Sequence, residues 1–240
     1  MDFDPIAAIA LHSEGLAHAA ERNLDAPVEH CPGWTVADLV GHITDVHWFW
    51  GTIAAERLDA PPDESRRPAW PTDRRIEAMR ATARQLVETL RAADQSAPVW
   101  TWAPAQHDIA FITRHQVQEA AVHHWDAAHA VGESISIAPL VAADAIEEFL
   151  TFSVSSEDDP ADPPRPALDG AFSLVCNDLD SSWTVMDATP GTIAWRTGAS
   201  SVGVRARASD LLLWLYGRVQ LESEVDPAVL GRFRQLTFTN

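Results

Sequence analysis

The chain has 240 residues, 46% of them hydrophobic and ten of them Trp, enough to bury one large core or two smaller ones and too apolar for a disordered protein. Its formal net charge of −18 disfavours a nucleic-acid partner, and all 17 basic residues are Arg, which excludes Schiff-base and phosphate-loop lysine chemistry. No apolar run approaches the ~18 residues of a membrane span, and the acidic start Met1-Asp2-Phe3-Asp4-Pro5 lacks the order of a signal peptide, so a cytoplasmic location is expected.

In chain order, Ile6, Ile9, Ala10, Leu16 and Ala20 repeat at helical spacing, and the turn-rich stretch 25–34 ends that helix. Thr35, with Asp38 in the first turn, opens a second helix to about Leu58. A proline-rich loop, 61–71, follows; Thr72 or Asp73 then caps a third helix reaching about Ala93. A fourth runs from about Asp108 to Val131 and is stopped by Gly132, and a shorter fifth spans Leu140 to Phe152. Long amphipathic helices with moderate loops are the material of a helical bundle.

Beyond an acidic, proline-rich segment the hydrophobic period becomes two. Phe172–Cys176, Trp183–Met186, Thr192–Trp195 and Val202–Val204 read as short strands; a helix from Ala208 to Tyr216 ends at Gly217, and a last one starts near Asp226-Pro227. The expected organisation is α+β: a helical bundle over 1–154, a linker over 155–167 and a small α+β domain over 168–240. The two cysteines, Cys31 and Cys176, have no metal-finger spacing and are expected to be buried free thiols.

The chemistry-bearing residues lie on the fourth helix. At about 100° per residue, with His115 at zero, Asp126 falls near 20°, Glu119 near 40° and His123 near 80°. Such a stripe is either a solvated face or a line of ligands looking into the bundle. Glu119 and His123, four apart, point a carboxylate and an imidazole the same way, as a divalent metal requires of one helix. His42 on the second helix is the third candidate ligand, with Asp38 or Asp45 as acceptors able to orient it. Three ligands with one open position describe a catalytic zinc site rather than a structural one. His47 competes for the role but sits in an aromatic run and is also read as packing. His124 points away from His123, and His12, His18, His30 and His129 have no ligand-like spacing.

Three segments carry a family resemblance. Cys31-Pro32-Gly33-Trp34-Thr35-Val36-Ala37-Asp38-Leu39-Val40-Gly41-His42 resembles the start of the metal-binding bundle of the mycothiol-dependent maleylpyruvate isomerase family. The run from Glu119 through His123-His124-Trp125-Asp126 to Gly132 is similar to that family's second metal segment, and Ala208 to Arg218 resembles the helix closing its second domain. The resemblance implies a DinB-like four-helix bundle followed by a sterol-carrier-like α+β domain. It implies zinc (or another divalent metal) held by His42, Glu119 and His123. It further implies mycothiol, the small thiol of actinobacteria, as cofactor; the substrate expected with it is a small electrophilic organic molecule, an acidic one among the options. Arg218 matches an arginine implicated in the family's activity; as a cation at a helix C-terminus it is equally read as balancing the dipole. A metal-binding sensor or partner-binding module without its own catalysis is the alternative, and a metal-free ligand carrier a third reading.

Overall fold

The computed structural model describes residues 3–154, 165–189, 191–200 and 202–237. They form two compact units, Met1–Ser136 and Ile137–Asn240.

The first unit is a bundle of α1 (Pro5–Arg22), α2 (Val36–Glu56), α3 (Arg75–Ala92) and α4 (Ile109–Ala130). Local chemistry sets most helix ends. The Asp4 carboxylate accepts from the backbone N–H groups of Ile6 and Ala7, with Pro5 at the first helical position. At the start of α2 the Asp38 carboxylate accepts from both the N–H (2.8 Å) and the hydroxyl (2.7 Å) of Thr35. Asp108 caps α4 through the N–H of Phe111, and Gly132 takes the left-handed conformation (φ 78°) just beyond its end. The third helix departs from expectation. Thr72–Arg74 form a 3-10 turn, and α3 begins only at Arg75, with Arg74 at the N-cap position making no side-chain cap bond.

In the bundle α1 packs on α3 and α4, and α2 packs on α3 and α4. Leu16, Leu39, Val40, Ile43 and Met79 build the core at one end. Helix α4 is buried on nearly all sides, from Ile109 and Phe111 through Ala120 and Ala121 to Ala127 and Ala128. The polar stripe is enclosed with it, His115 and Glu119 half-buried and His123 and Asp126 buried, so the stripe is not a solvated face.

The second unit contains α5 (Pro139–Phe152), strands β1 (Ala171–Cys176), β2 (Ser182–Thr189), β3 (Thr192–Thr197) and β4 (Gly203–Ala206), then α6 (Ala208–Leu215) and α7 (Pro227–Leu236). The sheet order is β3-β2-β1-β4. β1 pairs antiparallel with β2 (Leu174 opposite Trp183) and parallel with β4 (Leu174 opposite Val204), and a bulge interrupts β2–β3 between Asp187 and Thr189. The connection from β3 to β4 therefore crosses the sheet. It is tied down where Thr184 Oγ1 donates to the Gly198 carbonyl and the Ser200 N–H donates to Ser173 Oγ. A side chain at Gly203 would put Cβ 2.5 Å from the Ser173 carbonyl oxygen, so this close approach requires glycine. Phe172, Trp214 and Phe233 fill the core, with the Trp214 and Phe233 rings stacked at 5°.

Helix α5, expected to complete the bundle, belongs to the second unit. It packs on α6 and β3, Glu147 Oε1 accepts from Trp183 Nε1 (3.0 Å), and Ser209 Oγ accepts from the N–H of Ile137 (3.0 Å). The boundary thus falls before α5, not after it. Residues 155–164 of the expected linker lie outside the described residues. None of the described helices is long and apolar enough to cross a membrane.

Candidate metal centre

Helices α2 and α4 bring His42, Glu119 and His123 together. His42 Nε2 lies 3.2 Å from Glu119 Oε1, and His123 Nε2 lies 3.8 Å from the same oxygen. The two imidazole rings stand nearly perpendicular (79°) with centroids 5.1 Å apart. One nitrogen, one oxygen and one nitrogen fall within 4.8 Å of one another. Tetrahedral zinc with bonds of ~2.0–2.1 Å sets neighbouring donors about 3.4 Å apart, so this donor set fits such an ion with small adjustments.

The surroundings favour ligand duty. His123 Nδ1 is 3.0 Å from Asp126 Oδ2, and the aspartate side chain has no solvent exposure. An Nδ1–H donated to that carboxylate leaves the Nε2 lone pair facing Glu119 and His42. Burial pushes the Glu119 carboxyl upward, but the hydrogen bond from His42 and the fields of His123, His115 and His42 outweigh it and bring the pKa down to about 2. This direction favours the carboxylate, the form that binds a cation. The Trp34 ring packs 5.1 Å from that of His42.

Other candidates are placed differently. His115, in line with Glu119 on the helical wheel, stacks on Phe111 (13°) and meets Trp50 and Trp102 edge-on, in an aromatic cluster. His47 packs in the interior: it is 1% exposed, neither ring nitrogen has a hydrogen-bond partner among the described residues, and burial lowers its pKa to about 4. Neither Asp38 nor Asp45 orients His42. Asp38 is engaged by Thr35, while Asp45 accepts from Arg67 (2.9 Å) and from Trp70 Nε1 (2.8 Å). The orienting carboxylate is Asp126 instead, acting on His123; its three-residue offset on the same helix was the legible signal.

Both cysteines are free thiols, but only Cys176 is fully buried. Cys31 is half-buried, with Sγ 4.0 Å from Asp126 Oδ2. His124, set aside for its direction, faces α1: its Nδ1 is 3.1 Å from Nδ1 of His12, and its ring lies over Gly15. Arg218, in the second unit, follows Gly217 (φ 73°) at the end of α6. It is 8% exposed, and its Nη1 donates to the Tyr216 carbonyl at 2.8 Å. That bond ties the guanidinium to the main chain at the end of α6.

Residues 7–128 match the family model described as the mycothiol maleylpyruvate isomerase N-terminal domain. Among solved structures, the chain is similar to the crystal structure of the mycothiol-dependent maleylpyruvate isomerase, with 13% identity, a TM-score of 0.62, and coverage of 92% of this chain and 91% of that one. A histidine-to-alanine mutant of that isomerase matches at 12% identity with the same TM-score and coverage. No curated protein matches the chain. At these identities the structures establish a shared fold, and the family match spans just over half of the sequence. The chain belongs to the mycothiol maleylpyruvate isomerase family.

Proposed function

We propose that this chain is a divalent-metal-dependent enzyme, like maleylpyruvate isomerase, that transfers the thiol of mycothiol to a small electrophilic organic substrate or uses that thiol to isomerise it. The observation that carries the reading is the convergence of His42 Nε2, Glu119 Oε1 and His123 Nε2 from two helices, with Asp126 behind His123. These three residues are the ligands we assign, and zinc is the ion their chemistry suits best.

A zinc ion held there supplies Lewis acidity, which lowers the pKa of a thiol or water at the open position. The protein does the rest. Glu119 contributes negative charge and cancels part of the cation's field. Asp126 holds the His123 ring and its tautomer, so that Nε2 is presented without a search over rotamers. Trp34 limits movement of the His42 ring. In the second unit we assign Arg218 to the carboxylate of substrate or cofactor, which a planar guanidinium recognises through two parallel hydrogen bonds. Its main-chain anchor at Tyr216 supports that role by fixing the side chain before a ligand arrives. The net charge of −18 supports a small-molecule substrate over nucleic acid, and a cytoplasmic setting accords with free thiols.

The test is consumption of an electrophile panel, beginning with maleylpyruvate, by zinc-loaded protein with and without mycothiol. A rate that needs the thiol and is lost in Glu119→Ala is expected. Zinc binding with no thiol-dependent rate across the panel would overturn the enzymatic reading in favour of a binding module.

A further inference from the structure

A second group of donors lies outside the site described above. Glu29 and His30 belong to the loop between α1 and α2, and His129 to the last turn of α4. His129 Nε2 is 2.9 Å from Glu29 Oε2, and a nitrogen of His30 completes a set whose atoms lie within 4.8 Å of one another. Trp125, one turn before His129, acts as a shelf. The His129 ring stacks flat on the indole (4.7 Å, 9°), and His30 lies 5.8 Å from the indole and 5.9 Å from His129.

The loop that carries two of these donors is firmly held. The Val28 N–H donates to the Trp34 carbonyl and the Val36 N–H to that of Ala26, both at 2.9 Å, and Gly33 takes φ 86° to close the turn. Donors on a fixed loop and a helix keep their spacing without an ion, which reduces the entropy lost on binding one.

We propose that Glu29, His30 and His129 form a second, solvent-facing site for a divalent transition metal, clamping the α1–α2 loop to the end of α4. A plain ion pair accounts for Glu29 and His129 only. It leaves unexplained why a second imidazole, with no hydrogen bond to any described residue, is set against the same indole. Two imidazoles and one carboxylate select zinc, copper or nickel over calcium or magnesium, which prefer all-oxygen sets. Because the loop continues into Cys31, an ion here also fixes the thiol that lies beside Asp126. The proposal does not depend on His42, Glu119 or His123 binding metal.

The test is equilibrium dialysis of the metal-stripped full chain against zinc alone, with thermal melts at each concentration. Two equivalents are expected for the wild type. His129→Ala and His30→Ala should each take up one, while Glu119→Ala loses the inner equivalent and keeps the outer. The zinc-dependent rise in Tm due to the outer site should persist in Glu119→Ala and vanish when His129→Ala is added. His129 is an exposed side chain, and a zinc-free melt of its variant checks the fold. Zinc uptake unchanged in both His129→Ala and His30→Ala would overturn the proposal. So would a single equivalent in the wild type that Glu119→Ala abolishes, a result that leaves the inner site standing.

Discussion

His123 and Asp126 are joined across one turn of α4, Nδ1 to Oδ2 at 3.0 Å, with the carboxylate sealed from solvent. If this bond fixes the imidazole for metal binding, Asp126→Asn keeps the volume but weakens the hold on the ring. A 10–100-fold loss of zinc affinity is expected, the range typical of residues that orient a ligand. Competition with a chelator of known affinity measures it. An unchanged affinity would make Asp126 a packing residue.

The contact between Gly15 and His124 makes a prediction whose sign is informative. In an open helix position, Gly→Ala stabilises by roughly 1 kcal/mol through backbone entropy and propensity. Here a new Cβ would lie 2.2 Å from the His124 ring. Gly15→Ala is therefore expected to destabilise by about 1–3 kcal/mol, the range for overpacking. The double change Gly15→Ala with His124→Ala should recover part of that loss. Urea unfolding of the single and double variants checks both; a more stable single variant would contradict the packing described.

Acid sensitivity should follow from the buried imidazoles. Burial first, and the neighbouring His124 second, lower the His12 pKa from 6.5 to about 4. The unfolded chain then binds more protons than the folded one between those values, so stability present above pH 6.5 is lost as pH falls towards about 4. Buried His47, with its pKa likewise lowered to about 4, acts in the same window. His12→Asn should flatten the slope of stability against pH in that range and leave the share of His47. An unaltered slope in urea midpoints taken from pH 7 to 4 would contradict this.

In the second unit, the Asp187 carboxylate accepts from the N–H groups of Leu168 (2.7 Å) and Asp169 (2.9 Å), where Asp169 takes an unfavourable φ of 50°. Asp187→Ala removes both acceptors. A loss of about 1–3 kcal/mol in unfolding free energy is expected. An effect below ~0.5 kcal/mol, within the range of ordinary surface substitutions, would show that water replaces the carboxylate at no cost.

Much of this architecture is legible in the sequence because its signals are local. Asp4, Thr35 with Asp38, Asp108 and Gly132 mark helix ends by hydrogen bonds made within a few residues, and the strands announce themselves by alternation. The stripe of Glu119, His123 and Asp126 is equally local, and its direction follows from helical geometry. What the sequence does not show is which partner each buried face meets. The apolar face of α5 is evident, yet nothing local says that it packs on α6 and β3. His115 lies within about 40° of Glu119 on the wheel but ends among Phe111, Trp50 and Trp102, since the wheel records direction and not what lies opposite. The pairs His12–His124 and Glu29–His129 join residues about a hundred positions apart, so no spacing rule could bring them together. At α3, Thr72 and Asp73 have good capping chemistry, but the chain makes a tighter turn before the helix begins.

The central claim is that one ion sits among three side chains of α2 and α4. The most direct measurement is anomalous diffraction at the zinc absorption edge, from crystals of the zinc-loaded full chain. The account predicts an anomalous peak about 2 Å from His42 Nε2, from Glu119 Oε1 and from His123 Nε2, within zinc–ligand bonding distance of all three. Data of sufficient quality with no peak among these atoms would contradict it, wherever else zinc is found.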